Sequence, residues 1–582
     1  MLVCLIFKDL LLERAVGMSE VCVELVGKLV GEMLGLSKEE LSPSDNLISL
    51  GLGSLDIMRI AGLLTKNGCN VTFSELVSNP CMASWVNFAR ERSARSSSNG
   101  SPLLGSANYS KGDPFPITSV QHAYMVGRRD GQELGGTACH AYMEFECGSL
   151  DAAKLERAVE LLILRHPMLR ARFSDDGTAR IEDKVTWKGL TTYRVEGAGN
   201  PDSRIEGIRQ ELSHLRFDIE QDDLIDVRLT VVSPKRTIMH INVDLLAADV
   251  LSIQVLLEDL AHLYDGTDLA PIEIDFMEYA RRTGIGEDAR NEDREYWLNR
   301  IDNMPGGPSL PLKAPMESVK RSQFTRMEYL IDSKSWKNFT EKGRQIGVTQ
   351  SMGIAAVYAK ALSRWSEDKK FLLNLPLFNR KPIHPDVDKI VSDFTSLILL
   401  EADCANAISL LELASQMQGR FQQDVAHSSF GAVEVLRELS HRCPNDPKKA
   451  PVVFASNIGT QFISNKVEDV FGPLSKMLAE TPQVLLDHQI YDHKNGLLLA
   501  WDYVSELLDD KIAKQMFEAY CTAVRFYCEN DWSEPFPDLL PPSQRAARAE
   551  ANSEGADLGG GTLHGRFFAR AQAEPDAPAL RW

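Results

Sequence analysis

With 582 residues, 44% of them hydrophobic and 25% charged, the chain is too long for one compact core and too ordinary in composition for a disordered or membrane-embedded protein. Its formal net charge of -19 would repel phosphate backbones, which argues against nucleic acid as a partner. Ten scattered cysteines without metal-ligand spacing favour reduced thiols, a cytoplasmic location and the absence of a metal centre.

The amino-terminal segment is apolar at first, but Lys8 and Asp9 interrupt it. This interruption comes too early for a membrane span or a secretion signal, so neither is expected. Residues 1–17 are interpreted as an extension, and Met18 is an alternative start for the domain that follows.

A small all-α bundle is predicted for residues 18–93, because apolar residues recur there at helical spacing between turn-forming segments. The predicted helices run from Val21 to Leu36, from Ser54 to the terminator Asn67-Gly68, around Phe73 to Leu76, and around Met82 to Phe88.

A larger mixed α/β domain is predicted after a linker. Residues 94–113 are rich in serine and have the composition of a flexible connection. Strand-like runs then alternate with amphipathic helices to about residue 538, and 539–582 contain a second linker with three consecutive glycines. The clearest elements are strands at Tyr142–Phe145, Ile238–Val243, Phe371–Leu377 and Leu497–Trp501, and helices at Leu155–Leu164 and Ile253–Leu263.

Ser54 is expected where a loop turns into a helix, beside unpaired N–H groups that would stabilise a phosphodiester. The same position suits a serine that only caps the helix, and local chemistry leaves both roles open. The run DNLISLGLGSL at 45–55 resembles the phosphopantetheine attachment loop of carrier domains, with Gly53 where that family usually has aspartate. The resemblance implies 4'-phosphopantetheine on Ser54, attached by a phosphopantetheinyl transferase.

The α/β region resembles the heterocyclisation domains of nonribosomal peptide synthetases, which are relatives of their condensation domains. The run FPITSVQHAYMVGR at 115–128 closely resembles the opening motif of that family. The resemblance implies a bilobed fold like that of chloramphenicol acetyltransferase, with one lobe at about 114–285 and another at about 286–538. Further matches are RHPMLR at 165–170, LPL at 310–312, SDFT at 392–395 and PVVFAS at 451–456.

Asp244, Asp249 and Ser252 form a D-x-x-x-x-D-x-x-S motif just after a predicted apolar strand. Two carboxylates at this position could act as acid and base, or could hold the junction of two lobes through arginine salt bridges. We favour the structural role for Asp244, and both roles remain open for Asp249.

Heterocyclisation domains use an aspartate in an L-D-H-Q element and a threonine in an F-T-S element for ring closure. Asp487 and Gln489 stand in a matching L-D-H-Q run, which implies an acid–base role for Asp487. Ala455 stands at the threonine position, so either Ser456, Thr460 or water substitutes, or cyclisation is impaired.

The resemblance implies the initiation part of a synthetase. The carrier would hold an acyl thioester, and the next domain would condense it with a carrier-bound cysteine, serine or threonine and cyclodehydrate the product to a thiazoline or oxazoline. Residues 539–582 resemble a linker and the start of an adenylation domain. This order resembles siderophore synthetases of the yersiniabactin and pyochelin type, which implies a salicyl or 2,3-dihydroxybenzoyl group, an aryl-acid-activating adenylation enzyme, and downstream adenylation and carrier domains. The alternatives are condensation without cyclisation and a non-catalytic docking scaffold for carriers.

Overall fold

The structure, a computed structural model, describes residues 23–578 with gaps. It divides into two compact units, one ending at Pro537 and the other beginning at Asp538. The predicted extension at 1–17 and most of the first predicted linker lie outside the described residues, whereas the second predicted linker contains a described helix at Pro542–Ser553. The gaps are residues 38–39, 67–68, 70, 97–111, 196–199, 285–290, 379, 382, 444–447, 554–561 and 563.

The first domain is a helical bundle, as the spacing of apolar residues predicted. Ile57, Ile60 and Leu64 are fully buried on one face of the second helix. The indole N–H of Trp85 donates to the carbonyl of Leu76 at 3.0 Å, which joins the last two helices. Within the described residues the helices are 23–34 (α1), Ser54–Lys66 (α2), Phe73–Ser78 (α3) and Met82–Ser96 (α4).

The second domain is the predicted mixed α/β structure. Its strands are Phe115–Pro116 (β1), His140–Cys147 (β2), Ala171–Ser174 (β3), Thr178–Ile181 (β4), Thr191–Arg194 (β5), Ile225–Ser233 (β6), Arg236–Asp244 (β7), Phe324–Asp332 (β8), Lys370–Phe378 (β9), Thr395–Asp403 (β10), Val452–Gln461 (β11), Leu474–Glu480 (β12), Leu486–His493 (β13) and Gly496–Val504 (β14).

Helices pack on the sheets of this domain. They are Ser119–Arg128 (α5), Ala152–Arg165 (α6), Pro201–Leu212 (α7), Val250–Tyr264 (α8), Phe276–Thr283 (α9), Asn291–Arg300 (α10), Ser333–Gln345 (α11), Gln350–Ser363 (α12), Leu410–Ala426 (α13), Ala432–Arg442 (α14), Asn465–Phe471 (α15) and Asp510–Glu529 (α16). The unit that begins at Asp538 contains Pro542–Ser553 (α17) and Gly565–Ala573 (α18).

The two main sheets correspond to the two expected lobes. In the described part of the chain, one sheet has the order β12-β2-β7-β6-β5 and the other has the order β10-β9-β11-β13-β14-β8. Strand β12 comes from the second half of the chain but pairs antiparallel with β2 of the first half. The lobes are therefore joined through the backbone hydrogen bonds of a sheet as well as through side chains.

Strands β11 and β13 lie side by side and parallel near the middle of the six-stranded sheet. Side chains alternate between the two faces of a strand, and the buried helix α12 covers one of these faces. Phe454 and His488 point to that side, where both contact the ring of Tyr358. The other face of the two strands is left for a cavity between the lobes.

None of the helices in the described part of the chain combines the length and apolar character that a bilayer-spanning segment needs. Among the described cysteines, Cys69 is disulfide-bonded, which departs from the expectation of reduced thiols throughout. The free thiols are Cys81, Cys139, Cys147, Cys404, Cys443, Cys521 and Cys528.

Candidate active site

A cavity of about 680 Å³, here called the chamber, lies between the two lobes. The first lobe contributes Tyr124 from α5 and Asp249 from the start of α8, and the second lobe contributes residues of β9, β11 and β13. A space of this size and mixed lining can hold a small organic group in a defined orientation.

Alternation along β11 decides which of its residues can reach a substrate. Val453, Ala455 and Asn457 line the chamber. Ser456 points the other way, and its hydroxyl bonds the hydroxyl of Ser351 on α12 at 2.7 Å. The structure thus places Ser456 outside the chamber because successive residues of a strand face opposite sides. The side chain of Thr460 lies outside those that the structure describes.

Asp487 and Gln489 line the chamber from β13. The side-chain amide of Gln489 donates to Oδ2 of Asp487 at 2.5 Å, while Oδ1 of Asp487 is buried without a hydrogen-bond partner in the described residues. Burial raises the pKa of the Asp487 carboxyl to about 6, although the Gln489 hydrogen bond and the charge of Arg326 oppose this rise. A carboxyl with a free oxygen and a pKa in this range can both accept and donate a proton near neutral pH.

Arg326, a largely buried arginine two strands away in the sheet, supports this pair. Nη2 of Arg326 on β8 donates to Oε1 of Gln489 at 3.1 Å, and Nε lies 3.5 Å from Oδ1 of Asp502 on β14. The hydroxyl of Tyr491 also donates to Oε1 of Gln489. Gln489 is therefore held from two sides with its amide directed at Asp487. Sequence reasoning missed Arg326 and Asp502, although Asp502 is the one charged residue of the otherwise apolar strand β14.

Asp244 is placed by the structure in an ion pair within the first lobe. It is fully buried and accepts from the guanidinium of Arg128 on α5, while its Oδ1 accepts the N–H of Leu246 at 3.1 Å. Asp244 is not among the described residues that line the chamber. These contacts lie within the first lobe and not at the junction of two, and the structural role of Asp244 stays a prediction.

Asp249 joins the lobes. It caps α8 by accepting the N–H of Ser252 at 2.7 Å, and its Oδ1 also accepts from Nη2 of Arg380 at 3.0 Å. Its Oδ2 accepts the N–H of Phe394 at 3.3 Å. Although Asp249 borders the chamber, both of its oxygens are therefore engaged in holding the second lobe.

Ser252 continues this junction. Its hydroxyl donates to the carbonyl of Ser392 at 2.6 Å and accepts the N–H of the same residue at 3.1 Å. Nη2 of Arg380 donates to the Ser252 hydroxyl at 2.8 Å. The D-x-x-x-x-D-x-x-S motif thus brings Asp249 and Ser252 together as a clamp on the segment that precedes β10.

Ser54 is the first residue of α2. The first backbone N–H groups of a helix have no intrahelical acceptor and favour a negative group, so this position fits a phosphodiester. Oδ2 of Asp56 accepts the N–H of Gly53 at 2.9 Å, which fixes the loop before the serine. The residues present are therefore compatible with a phosphopantetheine attachment point at Ser54.

The loop before α2 lies against the second lobe. Nη1 of Arg344 on α11 donates to the carbonyl of Leu50 at 3.3 Å, and the hydroxyl of Ser78 donates to the carbonyl of Gln422 on α13 at 2.9 Å. These contacts hold the carrier against helices α11 and α13 of the second lobe.

The carboxyl of Asp56, in the first turn of α2, lies near the end of β13. Burial raises the pKa of Asp492 at the end of β13, and the nearby charge of Asp56 raises it further. At about 3.3 Å per residue, Asp487 lies about 17 Å back along the strand from Asp492.

Comparison with protein families identifies two regions of the chain. Residues 24–89 match the phosphopantetheine attachment site family, and residues 115–530 match the condensation domain family.

Known proteins are similar over nearly the whole chain. Phenyloxazoline synthase MbtB from Mycolicibacterium paratuberculosis is 35% identical over 565 residues, which are 95% of this chain and 48% of that protein. Pyochelin synthetase PchE from Pseudomonas aeruginosa is 34% identical over 565 residues, which are 96% of this chain and 39% of that protein. The chain thus spans less than half the length of these two relatives.

Solved structures share the fold. The EpoB cyclization-docking bidomain from Sorangium cellulosum is 29% identical with a TM-score of 0.68, and the alignment covers 78% of this chain and 93% of that one. The first condensation domain of the CDA synthetase is 16% identical with a TM-score of 0.59, covering 72% of this chain and 98% of that one. The second likeness supports the fold alone.

Proposed function

This chain belongs to the condensation domain family and carries a phosphopantetheine attachment domain before the condensation domain, and from that premise we propose that it is the initiation part of a nonribosomal peptide synthetase that closes heterocyclic rings. We assign the carrier to residues 18–93, the heterocyclisation domain to 114–538, and a linker with the start of an adenylation domain to 539–582.

The observation that carries the proposal is the carboxyl of Asp487. It faces the chamber, has one oxygen free of hydrogen bonds in the described residues, and has a pKa that burial raises to about 6. Ring closure requires such a group because it moves protons on nitrogen and on oxygen, whereas amide formation between two held substrates depends largely on their orientation.

The reaction has three balanced steps. The amine of the acceptor attacks the acyl thioester, and an amide forms while the thiol leaves. The side-chain thiol or hydroxyl then attacks the amide carbon, giving a ring with one hydroxyl on that carbon. Finally the C–O bond breaks, the hydroxyl takes a proton and leaves as water, and the ring nitrogen loses its proton as the C=N bond forms.

The 4'-phosphopantetheine on Ser54 would supply the thiol that carries the acyl group as a thioester. Asp487 would accept the proton of the ring nitrogen, and Gln489, held by Arg326, would keep the carboxyl directed into the chamber. Asp249 and Ser252 would keep the two lobes together around the substrate.

The substrates are proposed from chemistry and from the relatives. Cysteine is the favoured acceptor because its thiol ionises far more readily than a hydroxyl, with a reference pKa of about 8.5, and the product would be a thiazoline. The name of the relative phenyloxazoline synthase describes a ring with a phenyl substituent, which supports a salicyl or 2,3-dihydroxybenzoyl group here.

The proposed partners follow from the same reaction. A phosphopantetheinyl transferase would modify Ser54, and a separate adenylation enzyme would activate the aryl acid. Adenylation and carrier domains that lie downstream would provide the aminoacyl acceptor. We expect the protein to be cytoplasmic.

Reconstitution tests this function. The chain is loaded with salicyl-pantetheine at Ser54, mixed with a carrier that bears a cysteinyl thioester, and the product is analysed by mass spectrometry. We expect a product one water lighter than the open-chain amide. The Ser54→Ala variant should take up no pantetheine and give no product, and a wild-type chain that yields only the open-chain amide would refute ring closure.

A second candidate is condensation without cyclisation. It is favoured by Ala455, which lines the chamber with a methyl group where the resemblance implies a threonine hydroxyl, while Ser456 points away. The reconstitution distinguishes the two functions, because the second candidate predicts an amide that persists.

A further inference from the structure

A second buried carboxyl lines the chamber. Asp393 is 1% exposed and precedes β10, in the segment SDFT for which the sequence suggested no role. Its Oδ1 accepts the N–H of Thr395 at 3.0 Å, whereas its Oδ2 is buried without a hydrogen-bond partner in the described part of the chain. A buried carboxylate oxygen without a partner is costly for stability, so a gain in stability does not explain this aspartate.

The residues on both sides of Asp393 are held firmly. The carbonyl of Ser392 accepts from the Ser252 hydroxyl at 2.6 Å and from the N–H of Asp249 at 3.1 Å. On the other side, the N–H of Phe394 donates to Asp249 at 3.3 Å. The clamp that joins the lobes therefore fixes the backbone that presents Asp393 to the chamber.

The carboxyls of Asp393 and Asp487 both raise the pKa of the Tyr124 phenol. Burial raises the pKa of Tyr124 well above its usual value, and the nearby groups of Cys139, Asp393 and Asp487 raise it further. Tyr124, Asp393 and Asp487 all line the chamber. A small substrate held in the chamber therefore lies in a cavity that both carboxyls line.

Resting on the proposed function, we infer that Asp393 is a second catalytic residue of ring closure, which donates a proton to the departing oxygen while Asp487 accepts the proton of the ring nitrogen. The electron pair of the broken C–O bond leaves with the oxygen as water, and the pair of the N–H bond becomes part of the C=N bond. One proton passed from Asp487 back to Asp393 restores both groups.

The environments of the two carboxyls fit this division of roles. Burial raises the pKa of Asp393 to about 7, and the charge of Asp249 adds to the rise, whereas the pKa of Asp487 is raised to about 6. Near neutral pH the proton therefore resides more often on Asp393. Two titratable groups with different affinities for a proton in one site are a recurring basis for separate acid and base roles.

The test separates amide formation from ring closure in the full chain. The protein is loaded with salicyl-pantetheine, mixed with a cysteinyl carrier, quenched at intervals, and the open-chain amide and the ring are quantified by mass spectrometry. The variants are Asp393→Asn, Asp393→Glu and, as a matched control at the other end of β10, Asp403→Asn. Thermal unfolding of each variant shows whether it is folded.

In Asp393→Asn we expect amide formation within about twofold of wild type and ring closure slowed by about 100-fold or more, so that the amide accumulates. Asp393→Glu should recover part of the rate, and Asp403→Asn should behave as wild type. Equal loss of both steps, or ring closure that is unchanged in Asp393→Asn, would overturn the inference alone. A wild-type chain that forms amide but no ring would reject the proposed function as well.

Discussion

The Asp487→Asn variant removes the proposed base while nearly preserving its shape. Asp487 is 5% exposed and its Oδ2 already bonds the Gln489 amide at 2.5 Å, so an asparagine of similar size fits the same space. Acid–base groups contribute about 100-fold to 10,000-fold to a rate. We therefore expect ring closure to slow by at least about 100-fold, while amide formation continues because it depends on substrate orientation.

The rate of ring closure should also fall toward acid pH, by an amount that follows from the pKa of Asp487. With its pKa raised by burial to about 6, Asp487 is ionised to roughly 90% at pH 7 but only roughly 10% at pH 5. The base available for ring closure therefore falls about ninefold over this range. Its midpoint lies near pH 6, well above the midpoint near pH 4 of an exposed aspartate.

Single-turnover assays between pH 5 and pH 7 measure both effects. The loaded chain is mixed with cysteinyl carrier, and the amide and ring are quantified at each pH by mass spectrometry. The wild type should lose ring closure toward acid pH, and the variant should show neither the rate nor that loss. A variant that closes the ring at the wild-type rate would refute the reasoning, and so would a wild-type rate that stays flat between pH 7 and pH 5, as a midpoint near pH 4 would give.

The Asp487→Asn variant, which we expect to lose ring closure, should keep or gain stability against unfolding. Because burial raises the pKa of Asp487 in the folded protein, the folded state binds the proton more tightly, and stability is lost as pH rises from about 4 to about 6. At pH 7 the ionised carboxyl costs on the order of 3 kcal/mol, which a neutral asparagine avoids. Asp487→Asn should therefore melt at the same or a higher temperature than wild type, and a lower Tm would contradict this explanation.

Three other substitutions test separate parts of the account. Ala455→Thr adds a hydroxyl to the chamber wall. A hydrogen bond of about 1 kcal/mol from this hydroxyl to the transition state would speed ring closure about fivefold in the mass assay. An unchanged ratio of amide to ring would argue against such a hydrogen bond. Arg380→Gln leaves the buried Asp249 carboxylate without its cation, so urea unfolding should show a loss of roughly 3–5 kcal/mol, and a loss below about 1 kcal/mol would show that the clamp matters little. Arg344→Glu breaks the contact with the Leu50 carbonyl, so amide formation from the acyl group on the chain's own carrier should slow severalfold. The same charge change at Lys337, elsewhere on α11, should have little effect. Equal effects of the two substitutions would exclude a docking role for Arg344.

The sequence predicted the elements whose signals are local. The helices of the carrier and the strands β2, β7, β9 and β14 were expected from periodicity within a few residues of where they lie, and the bilobed condensation fold is confirmed by the family match and by the solved relatives. Apolar spacing of 3.6 or 2 residues depends on burial of one face and needs no knowledge of distant parts.

The chamber could be predicted only in part. The motif indicated Asp487 and Gln489, and both line the cavity. Whether Ser456 could replace the missing threonine depended on which face of β11 packs against α12. The contact that shows this is between Ser456 and Ser351, which are 105 residues apart in the sequence. Local patterns contain no such information.

The clamp and the role of the second carboxyl also could not be predicted from the sequence. Asp249 was left between acid–base and structural roles because its partner Arg380 is 131 residues away. Asp393 had no visible role until the fold placed it in the lining of the chamber with one oxygen unpartnered in the described residues. Groups of this kind are joined by tertiary contacts between lobes, which a single sequence does not display.

The origin of the released water tests the central claim most directly. An acyl thioester that carries a heavy-oxygen label in its carbonyl is loaded at Ser54 and allowed to react with the cysteinyl carrier. If the amide carbonyl is converted to the ring, the open-chain amide retains the label and the dehydrated product has lost it as labelled water. A dehydrated product that keeps the label would contradict cyclodehydration in the chamber.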